Sequence, residues 1–174
     1  TSLNCDIDGI LSKTAVDIRF VNGEQRVFLV GEDVSDKIRT PKASMMASAV
    51  SARPQVRAFL LEMQRKLARE NNVLMDGRDI GTVVLPDADV KIYLTASAEI
   101  RAERRLKELL EKGQQVTYDE VYRDMVKRDY DDMHREIAPL KKAEDAVTAD
   151  TGALDFDKSV ELILEIVKRE TEKQ

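Results

Sequence analysis

The sequence predicts an α/β protein in which a parallel sheet is flanked by helices. After residue 54, short apolar runs typical of strands alternate with longer segments whose apolar residues recur at helical spacing. This alternation is typical of parallel strands joined by helices. Before it, residues 15–30 have the pattern of a β-hairpin, which we interpret as an insertion at the sheet edge. The length of 174 residues suits a single domain, with about 15–72 as the insertion and its helix and about 73–174 as the core.

The predicted hairpin is followed by a helix. Apolar residues alternate on both predicted strands, and Asn22-Gly23 between them is typical of a tight hairpin turn. These alternating residues are Val16, Ile18, Phe20, Val27 and Leu29. From Pro54 to about Asn71, an apolar stripe at helical spacing predicts a helix, and proline suits its first turn.

The predicted core alternates strands and helices. Val73–Met75 is predicted to be a short buried strand, and Val90–Thr95 a second one. A helix then begins after Ser97 as its N-cap and stops at Gly113. The segment Thr117-Tyr118-Asp119-Glu120 has the form of a capping box and predicts the start of the next helix.

The last predicted elements are a strand and a closing helix. Ala146–Ala149 is predicted to be a short strand. Apolar residues at helical spacing then indicate an amphipathic helix. They are Val160, Ile163, Leu164 and Val167.

Composition excludes several classes of partner. The formal net charge of −5, the aromatic content of 5% and the absence of tryptophan argue against a nucleic-acid partner and an anionic membrane. No run approaches the roughly 18 apolar residues of a membrane span, and no signal peptide is evident, so we expect a cytoplasmic protein. The single cysteine, Cys5, cannot form an internal disulfide, which fits a reducing compartment.

A charged tetrapeptide, Asp76-Gly77-Arg78-Asp79, directly follows the predicted strand Val73–Met75. Ionised side chains are seldom buried unless they are paired or functional. In open α/β sheets, ligands bind outside the carboxyl ends of the strands, which is where this segment would place its two carboxylates and its guanidinium. The tetrapeptide is therefore a candidate ligand site.

The helix predicted after Thr117 has a face that changes character. Its first two turns carry an apolar and aromatic stripe, and the same face then reaches Arg128, Asp132 and Arg135. One interpretation is that the helix leaves the core and presents these groups to a polar ligand such as phosphate, which guanidinium groups bind in a bidentate manner. The other is a solvated helix end with ion pairs worth about 0.2–0.5 kcal/mol each.

These segments occur together with further motifs in a fixed order that covers nearly everything from about Ala15 to the C-terminus. The motifs are Gly31-Glu32-Asp33-Val34-Ser35, Ile38-Arg39-Thr40, Ser48 through Arg57, Asp76 through Ala88, Arg128 through Arg135, and Ile137-Ala138-Pro139-Leu140. This combination resembles the bacterial cytidylate kinases, within the nucleoside monophosphate kinase family.

The resemblance implies a phosphate-loop NTPase-like core, an inserted hairpin subdomain that binds the monophosphate, and a helical lid at about 113–140. It implies phosphoryl transfer from ATP to CMP or dCMP with Mg²⁺. We expect a monomer whose partners are these small nucleotides (CMP, dCMP and ATP). The resemblance assigns cytosine recognition to Ser48, Arg57 and Asp79. It assigns phosphate binding to Arg78 and Arg135, and ribose contacts to Arg128 and Asp132. It places a carboxylate near the magnesium ion at Asp76, and a contact with the donor adenine at Arg104 or, alternatively, Arg101. The three catalytic arginines would be Arg78, Arg128 and Arg135.

The sequence departs from the family at its start. The family opens with a strand and a loop Gly-x-x-x-x-Gly-Lys-Ser/Thr, which residues 1–174 do not contain. Between Gly9 and Lys13 there are three residues where the loop needs five, and no second glycine, so backbone N–H groups could not surround a phosphate there. We expect Lys13 to be a surface residue, the N-terminal phosphate-loop segment to be missing, and residues 1–174 by themselves to be inactive.

Three alternatives stay open on the sequence. A sister kinase could use another monophosphate. A non-catalytic nucleotide-binding protein could have lost its phosphate loop. A structural α/β domain could carry the same charges as surface ion pairs.

Overall fold

The computed structural model describes residues 6–51 and 53–173, apart from the side chains of Pro41, Ser44 and Ser48. Cys5 therefore lies outside the described residues. The chain divides into two compact units, Thr1–Val73 and Leu74–Gln174. Both α-helices and β-strands are present, as the sequence predicts.

The first unit begins with a short helix, α1 (Ile7–Leu11). The Asp6 carboxylate caps it by accepting a hydrogen bond of 3.0 Å from the Gly9 N–H. The segment that superficially resembles a phosphate loop is thus a helical turn, and Lys13 after it is exposed, as expected.

The predicted hairpin is confirmed. Strands β1 (Val16–Val21) and β2 (Glu24–Leu29) pair antiparallel, and a two-residue strand, β3 (Glu32–Asp33), adds to the far edge of β2. Asn22 and Gly23 both have positive φ, 53° and 82°. This is the backbone geometry that the right-handed twist of a two-residue hairpin requires, and it explains the Asn-Gly pair.

A buried hydroxyl holds β3 against β2. Ser35 is 2% exposed, accepts a 2.8 Å hydrogen bond from the Val27 N–H, and donates its own hydroxyl to Asp33 at 2.6 Å. The Arg26 Nε also donates to the Asp33 carboxylate, at 2.8 Å. The hydroxyl and backbone hydrogen bonds from Ser35, followed by that from Arg26, lower the pKa of Asp33 from 3.8 to about 2.

Two helices complete the first unit. They are α2 (Pro41–Ser51) and α3 (Pro54–Glu70). Helix α3 begins at the predicted proline and ends one residue before Asn71, and Val56 from its apolar stripe is buried. The helix prediction for this segment is confirmed.

The second unit contains a parallel pair of strands and three helices. Strand β4 (Ile92–Thr95) pairs with β5 (Val147–Asp150), and the helices are α4 (Ala98–Glu111), α5 (Tyr118–His134) and α6 (Phe156–Thr171). Its most buried apolar residues come from β5, from α4 to α6, from the segment before β4 and from the connection between β4 and α4. They are Val84, Ala96, Ala102, Val121, Ala149 and Ile166.

Each helix of this unit starts at a capping side chain. Ser97 accepts a hydrogen bond from the Ile100 N–H, and Asp155 accepts one from the Lys158 N–H. Thr117 and Glu120 form the complete predicted capping box at the start of α5. Gly113, just beyond the end of α4, has a φ of 74°, the left-handed conformation that commonly ends a helix. The sequence predictions for these helix ends are confirmed.

One predicted strand is wrong. Val73–Met75 has no regular structure, and Leu74 is 89% exposed where a buried strand was expected. A strand is stabilised by the ladder of hydrogen bonds to a neighbour, and no strand among residues 6–51 and 53–173 pairs with this segment. The parallel sheet of the described chain accordingly has two strands, β4 and β5.

The segment that follows Val73–Met75 forms a single wide helical turn at Ile80–Val84, with Asp79 immediately before the turn.

Within the described residues, no helix combines the length and the apolar character that crossing a membrane requires.

Candidate functional site

A cavity of about 540 Å³, lined by both polar and apolar side chains, lies within the second unit. Its lining comes from the segment before and after Gly77, from β4, from the start of α4, from α5 and from the residues around β5. Five of the lining side chains are cationic and two are anionic: Arg78, Lys91, Arg101, Arg104 and Lys141, against Asp76 and Asp129. Three of these cations are paired with carboxylates, Arg78 with Asp132, Lys91 with Asp145 and Arg101 with Asp129, so the lining retains a small excess of positive charge, which favours an anionic ligand.

The tetrapeptide and the charged end of α5, which the sequence analysis singled out separately, meet here. The Arg78 Nε donates a 2.7 Å hydrogen bond to the carboxylate of Asp132, 54 residues later. Asp132 is only 18% exposed, whereas Arg78 is 42% exposed. The pair therefore ties the segment after Gly77 to the last turns of α5 and leaves part of the Arg78 guanidinium accessible.

Arg135 lies directly after α5 and points into the same group of charges. Its Nε donates a 2.7 Å hydrogen bond to the carbonyl oxygen of Ala138. Its Nη2 lies 3.7 Å from Oδ1 of Asp79, and its Nη1 lies 4.0 Å from Oδ1 of Asp132, so both contacts are ion pairs without hydrogen-bond geometry.

The Nη2 of Arg135 is a buried donor without an acceptor. Among the described residues it has no hydrogen-bond partner, although Arg135 as a whole is 24% exposed. A buried donor left unsatisfied costs about 1–3 kcal/mol, and more when it is charged. Ala138, which holds the other end of this guanidinium, has a φ of 50°, a left-handed conformation that is strained for a non-glycine residue. Both features are typical of a site that is completed by a ligand.

Asp79 and Arg128 differ in their surroundings. Asp79 is 13% exposed and stands at the start of the helical turn Ile80–Val84. Arg128 is exposed on α5, and its side chain makes no hydrogen bond or ion pair with the residues that the structure describes. Its guanidinium is therefore available to a ligand.

Asp76 lines the cavity and is exposed. In the described part of the chain, no three histidine, cysteine or carboxylate side chains are grouped as a metal would require. Asp76 would thus be a solitary carboxylate ligand, which suits only a cation that keeps most of its shell of waters and phosphate oxygens.

Arg104 extends from α4 to the residues after β5. Its Nη2 donates to the carbonyl oxygens of Thr151 at 2.6 Å and Leu154 at 3.0 Å, and its Nη1 lies 3.3 Å from the Thr151 hydroxyl. These bonds satisfy carbonyl groups of the connection between β5 and α6. Arg104 lines the cavity from this position.

Sequence analysis missed Asp129. Its carboxylate accepts two hydrogen bonds from Arg101 of α4, at 3.1 and 2.6 Å. These bonds raise the pKa of the Arg101 guanidinium. A carboxylate four residues after Met125 and seven after Tyr122 continues the apolar stripe of α5 and could have been noticed for that reason.

Ser48 and Arg57 belong to the first unit. Ser48 lies on α2, and its side chain is outside what the structure describes. Arg57 lies in the first turn of α3 and is half-buried.

The family model described as "Cytidylate kinase" matches residues 4–169 of this chain. The chain belongs to this family. The cytidylate kinase of Carboxydothermus hydrogenoformans is 51% identical over 168 residues, which are 95% of this chain and 75% of that protein. The cytidylate kinase of Caldicellulosiruptor bescii is 50% identical over 157 residues (90% and 70%), and that of Thermosipho melanesiensis is 49% identical over 151 residues (87% and 69%).

Membership of the cytidylate kinase family confirms the resemblance seen in the sequence and makes the chain a kinase, that is, a nucleotide-binding transferase. A structural α/β domain whose charges form only surface ion pairs is thereby ruled out. The cluster of arginines and carboxylates in the second unit accordingly has the chemistry expected of a kinase site.

Proposed function

We propose that the protein transfers the γ-phosphoryl group of ATP to CMP or dCMP and releases CDP or dCDP. Membership of the cytidylate kinase family gives the reaction class. The observation that carries the proposal in the structure is the buried Nη2 of Arg135, a charged donor that has no acceptor among the described residues. Asp132 lies near this guanidinium and also accepts a hydrogen bond from Arg78 of the cavity lining. A phosphate oxygen would supply the missing acceptor.

Arg78 and Arg135 are proposed to bind the phosphate of the acceptor. Both guanidinium groups are held by Asp132 or Asp79 on one side, and each retains nitrogen atoms that donate no hydrogen bond to the described residues. Phosphoryl transfer needs little covalent chemistry from the protein, because positioning and charge neutralisation account for most of the rate. Guanidinium groups fixed in advance are suited to both tasks.

Arg128 and Asp132 are proposed to contact the ribose. Asp132 has a carboxylate that can accept hydrogen bonds from hydroxyl groups, and its orientation is set by Arg78. The exposed Arg128, one turn earlier on α5, can donate hydrogen bonds to oxygen atoms of the same ligand. Arg128 is the third arginine that we assign to catalysis, through charge neutralisation.

The base would be selected by Ser48, Arg57 and Asp79. Cytosine presents an amino donor, a ring nitrogen acceptor and a carbonyl acceptor. A carboxylate at Asp79 can accept from the amino group, while Arg57 and Ser48 can donate to the two acceptors. Uracil replaces the amino group by a carbonyl, so the carboxylate would face an acceptor with no proton between them, and UMP should be a poor substrate.

The donor side is proposed to involve Arg104 and Asp76. Arg104 lines the cavity and would lie against the adenine of ATP. The exposed carboxylate of Asp76 fits a magnesium ion that is bound mainly by phosphate oxygens and water, since such sites need only one or two carboxylates. The ion would neutralise charge on the phosphates. We further propose that the enzyme acts as a monomer in the cytoplasm.

A non-catalytic nucleotide-binding protein is the second candidate. Residues 1–174 contain no Gly-x-x-x-x-Gly-Lys-Ser/Thr, and it is this loop that would bind the phosphates of ATP. In this alternative the arginine cluster binds CMP and transfers nothing, and phosphorylation of CMP in the experiment below would exclude it.

The deciding experiment measures ADP release with ATP, Mg²⁺ and CMP, dCMP or UMP, using the protein as its gene encodes it. We expect turnover with CMP or dCMP and a much lower kcat/KM with UMP. Asp79→Asn and Arg57→Met should each collapse the CMP:UMP ratio, because each removes a group that reads the base. Asp87→Asn, on an exposed carboxylate, and Arg69→Met, at the exposed end of α3, serve as matched controls.

Binding of CMP without any turnover would favour the second candidate. A CMP:UMP ratio that stays constant while both substrates decline together would show that Asp79 and Arg57 do not read the base.

A further inference from the structure

A second arginine–carboxylate pair of the second unit has no role in the function proposed above. The Arg101 Nη1 and Nη2 donate to the two carboxylate oxygens of Asp129, at 3.1 and 2.6 Å. The two residues belong to different helices, α4 and α5, and both are partly buried at the cavity. Two parallel bonds of this kind fix orientation as well as distance.

The Nε of Arg101 is bonded to the residue that follows strand β4. Its Nε donates a 3.0 Å hydrogen bond to the carbonyl oxygen of Ala96, a buried residue directly after β4. All three guanidinium nitrogens are therefore engaged. Through Arg101, the carboxylate of Asp129 is connected to the carboxyl end of β4.

The bonds from Asp129 through Arg101 to Ala96 join α5 at the point where the proposed substrate-binding residues of α5 begin. Arg128 precedes Asp129, Asp132 follows it by nearly one helical turn, and Arg135 comes directly after the helix. A rotation or shift of this end of α5 would displace all three side chains together. The nearby pair Lys127–Asp131, at 2.8 Å, lies within α5 and gives no such connection.

We propose that Asp129 and Arg101 are a positioning pair, which holds the end of α5 against the carboxyl end of β4 and so keeps Arg128, Asp132 and Arg135 in place for the nucleotide. The inference rests on the function proposed above for those three residues. In this proposal Asp129 makes no contact with substrate. Asp129 acts through Arg101 and through the backbone of α5.

Two measurements on the protein as its gene encodes it test the pair. The first is hydrogen exchange of α5 without nucleotide, and the second is steady-state kinetics with CMP. Asp129→Asn keeps the shape of the side chain and removes its charge, and Arg101→Lys keeps the charge and removes the two parallel bonds. Asp131→Asn is the matched control, since it removes a neighbouring carboxylate that pairs only within α5.

We expect faster exchange at residues 128–135 in Asp129→Asn and Arg101→Lys, with the capping-box end of α5 unchanged. We also expect kcat/KM for CMP to fall at least about tenfold in Asp129→Asn, because a displacement of about 1 Å can cost about 100-fold in rate. Asp131→Asn should show neither change, and the melting temperatures of Asp129→Asn and Asp131→Asn should be similar.

Unchanged exchange at residues 128–135 would overturn the proposal, as would faster exchange with an unaltered kcat/KM, which would make the pair purely structural. If the unsubstituted protein itself does not phosphorylate CMP, the proposed function is wrong, and the exchange measurement still decides whether the pair holds α5.

Discussion

Arg135 is held firmly, yet one of its terminal nitrogens has no hydrogen-bond acceptor among the described residues. Its Nε is fixed by the Ala138 carbonyl, and two carboxylates lie near its terminal nitrogens without forming hydrogen bonds. This arrangement fixes the guanidinium before any ligand binds. Donors that are oriented in advance lower a barrier more than donors that must reorganise during the reaction.

We predict that Arg135→Met lowers kcat by about 100- to 1000-fold, the loss typical of removing one preorganised donor, with little change in stability. The variant loses the Nε hydrogen bond to the Ala138 carbonyl and two long ion pairs, whereas the buried Nη2 has no hydrogen bond to lose among the described residues. The loss of stability should therefore be small beside the loss of kcat. Steady-state kinetics with CMP and thermal melts of both proteins check this. Arg123→Met is the matched control, because Arg123 is exposed on the same helix and bonds only to the Asp119 carbonyl.

A variant that melts several degrees lower and keeps its kcat would contradict the prediction. Arg135 would then be a structural member of the ion-pair cluster.

At the scale of elements, the three-stranded sheet depends on a polar contact that hydrophobic patterning does not reveal. Ser35 and Arg26 both donate hydrogen bonds to the Asp33 carboxylate, and Ser35 also binds the backbone of β2. These bonds favour the ionised carboxylate, so the pKa of Asp33 falls to about 2. A lowered carboxyl pKa in the folded state means that ionisation stabilises the fold.

The stabilisation by Asp33 should therefore be complete above the ordinary pKa of 3.8 and lost as the pH falls towards 2. We predict that the wild-type protein is more stable than Asp33→Asn near neutral pH. The part of the difference that comes from ionisation should shrink below pH 3.8 and be lost as the pH falls through about 2. Denaturant unfolding of both proteins across this range measures it. Ser35→Ala should raise the pKa of Asp33, since it removes the largest cause of the shift. A difference that does not depend on pH would contradict the prediction.

At the scale of the whole molecule, the chain carries a net negative charge and yet lines a cavity with an excess of cations. The negative surface favours solubility and disfavours polyanions, while a local positive site can still bind a small anion. The distribution of charge, more than its total, is what suits the protein to a nucleotide.

We predict that residues 1–174 alone do not release ADP from ATP in the presence of CMP and Mg²⁺. They lack a Gly-x-x-x-x-Gly-Lys-Ser/Thr loop, and no other described segment has the glycine-rich turn that surrounds phosphate with N–H groups. A coupled assay of residues 1–174 measures this, and the protein as its gene encodes it is the comparison. Mass spectrometry of the intact protein against its gene shows whether the two differ. Appreciable turnover by residues 1–174 would show that the loop is not needed.

The sequence by itself determined the local elements whose cause is local. The hairpin turn at Asn22-Gly23, the capping box at Thr117, the start of α3 at Pro54 and the end of the α4 region at Gly113 all follow from the conformational preferences of a few adjacent residues. It also determined the family, because several motifs in a fixed order are specific together.

The tertiary structure decided everything that depends on residues far apart in sequence. Leu74 has the apolar character of a strand residue and is exposed, because a strand also needs a neighbour and none pairs with it among the described residues. Two pairings join residues that are far apart in sequence: Arg78 with Asp132, 54 residues apart, and Arg101 with Asp129, 28 residues apart. The Nη2 of Arg135, which has no acceptor among the described residues, depends on burial. Spacing along one helix predicts which residues share a face, but only the packed chain shows which charge each of them meets.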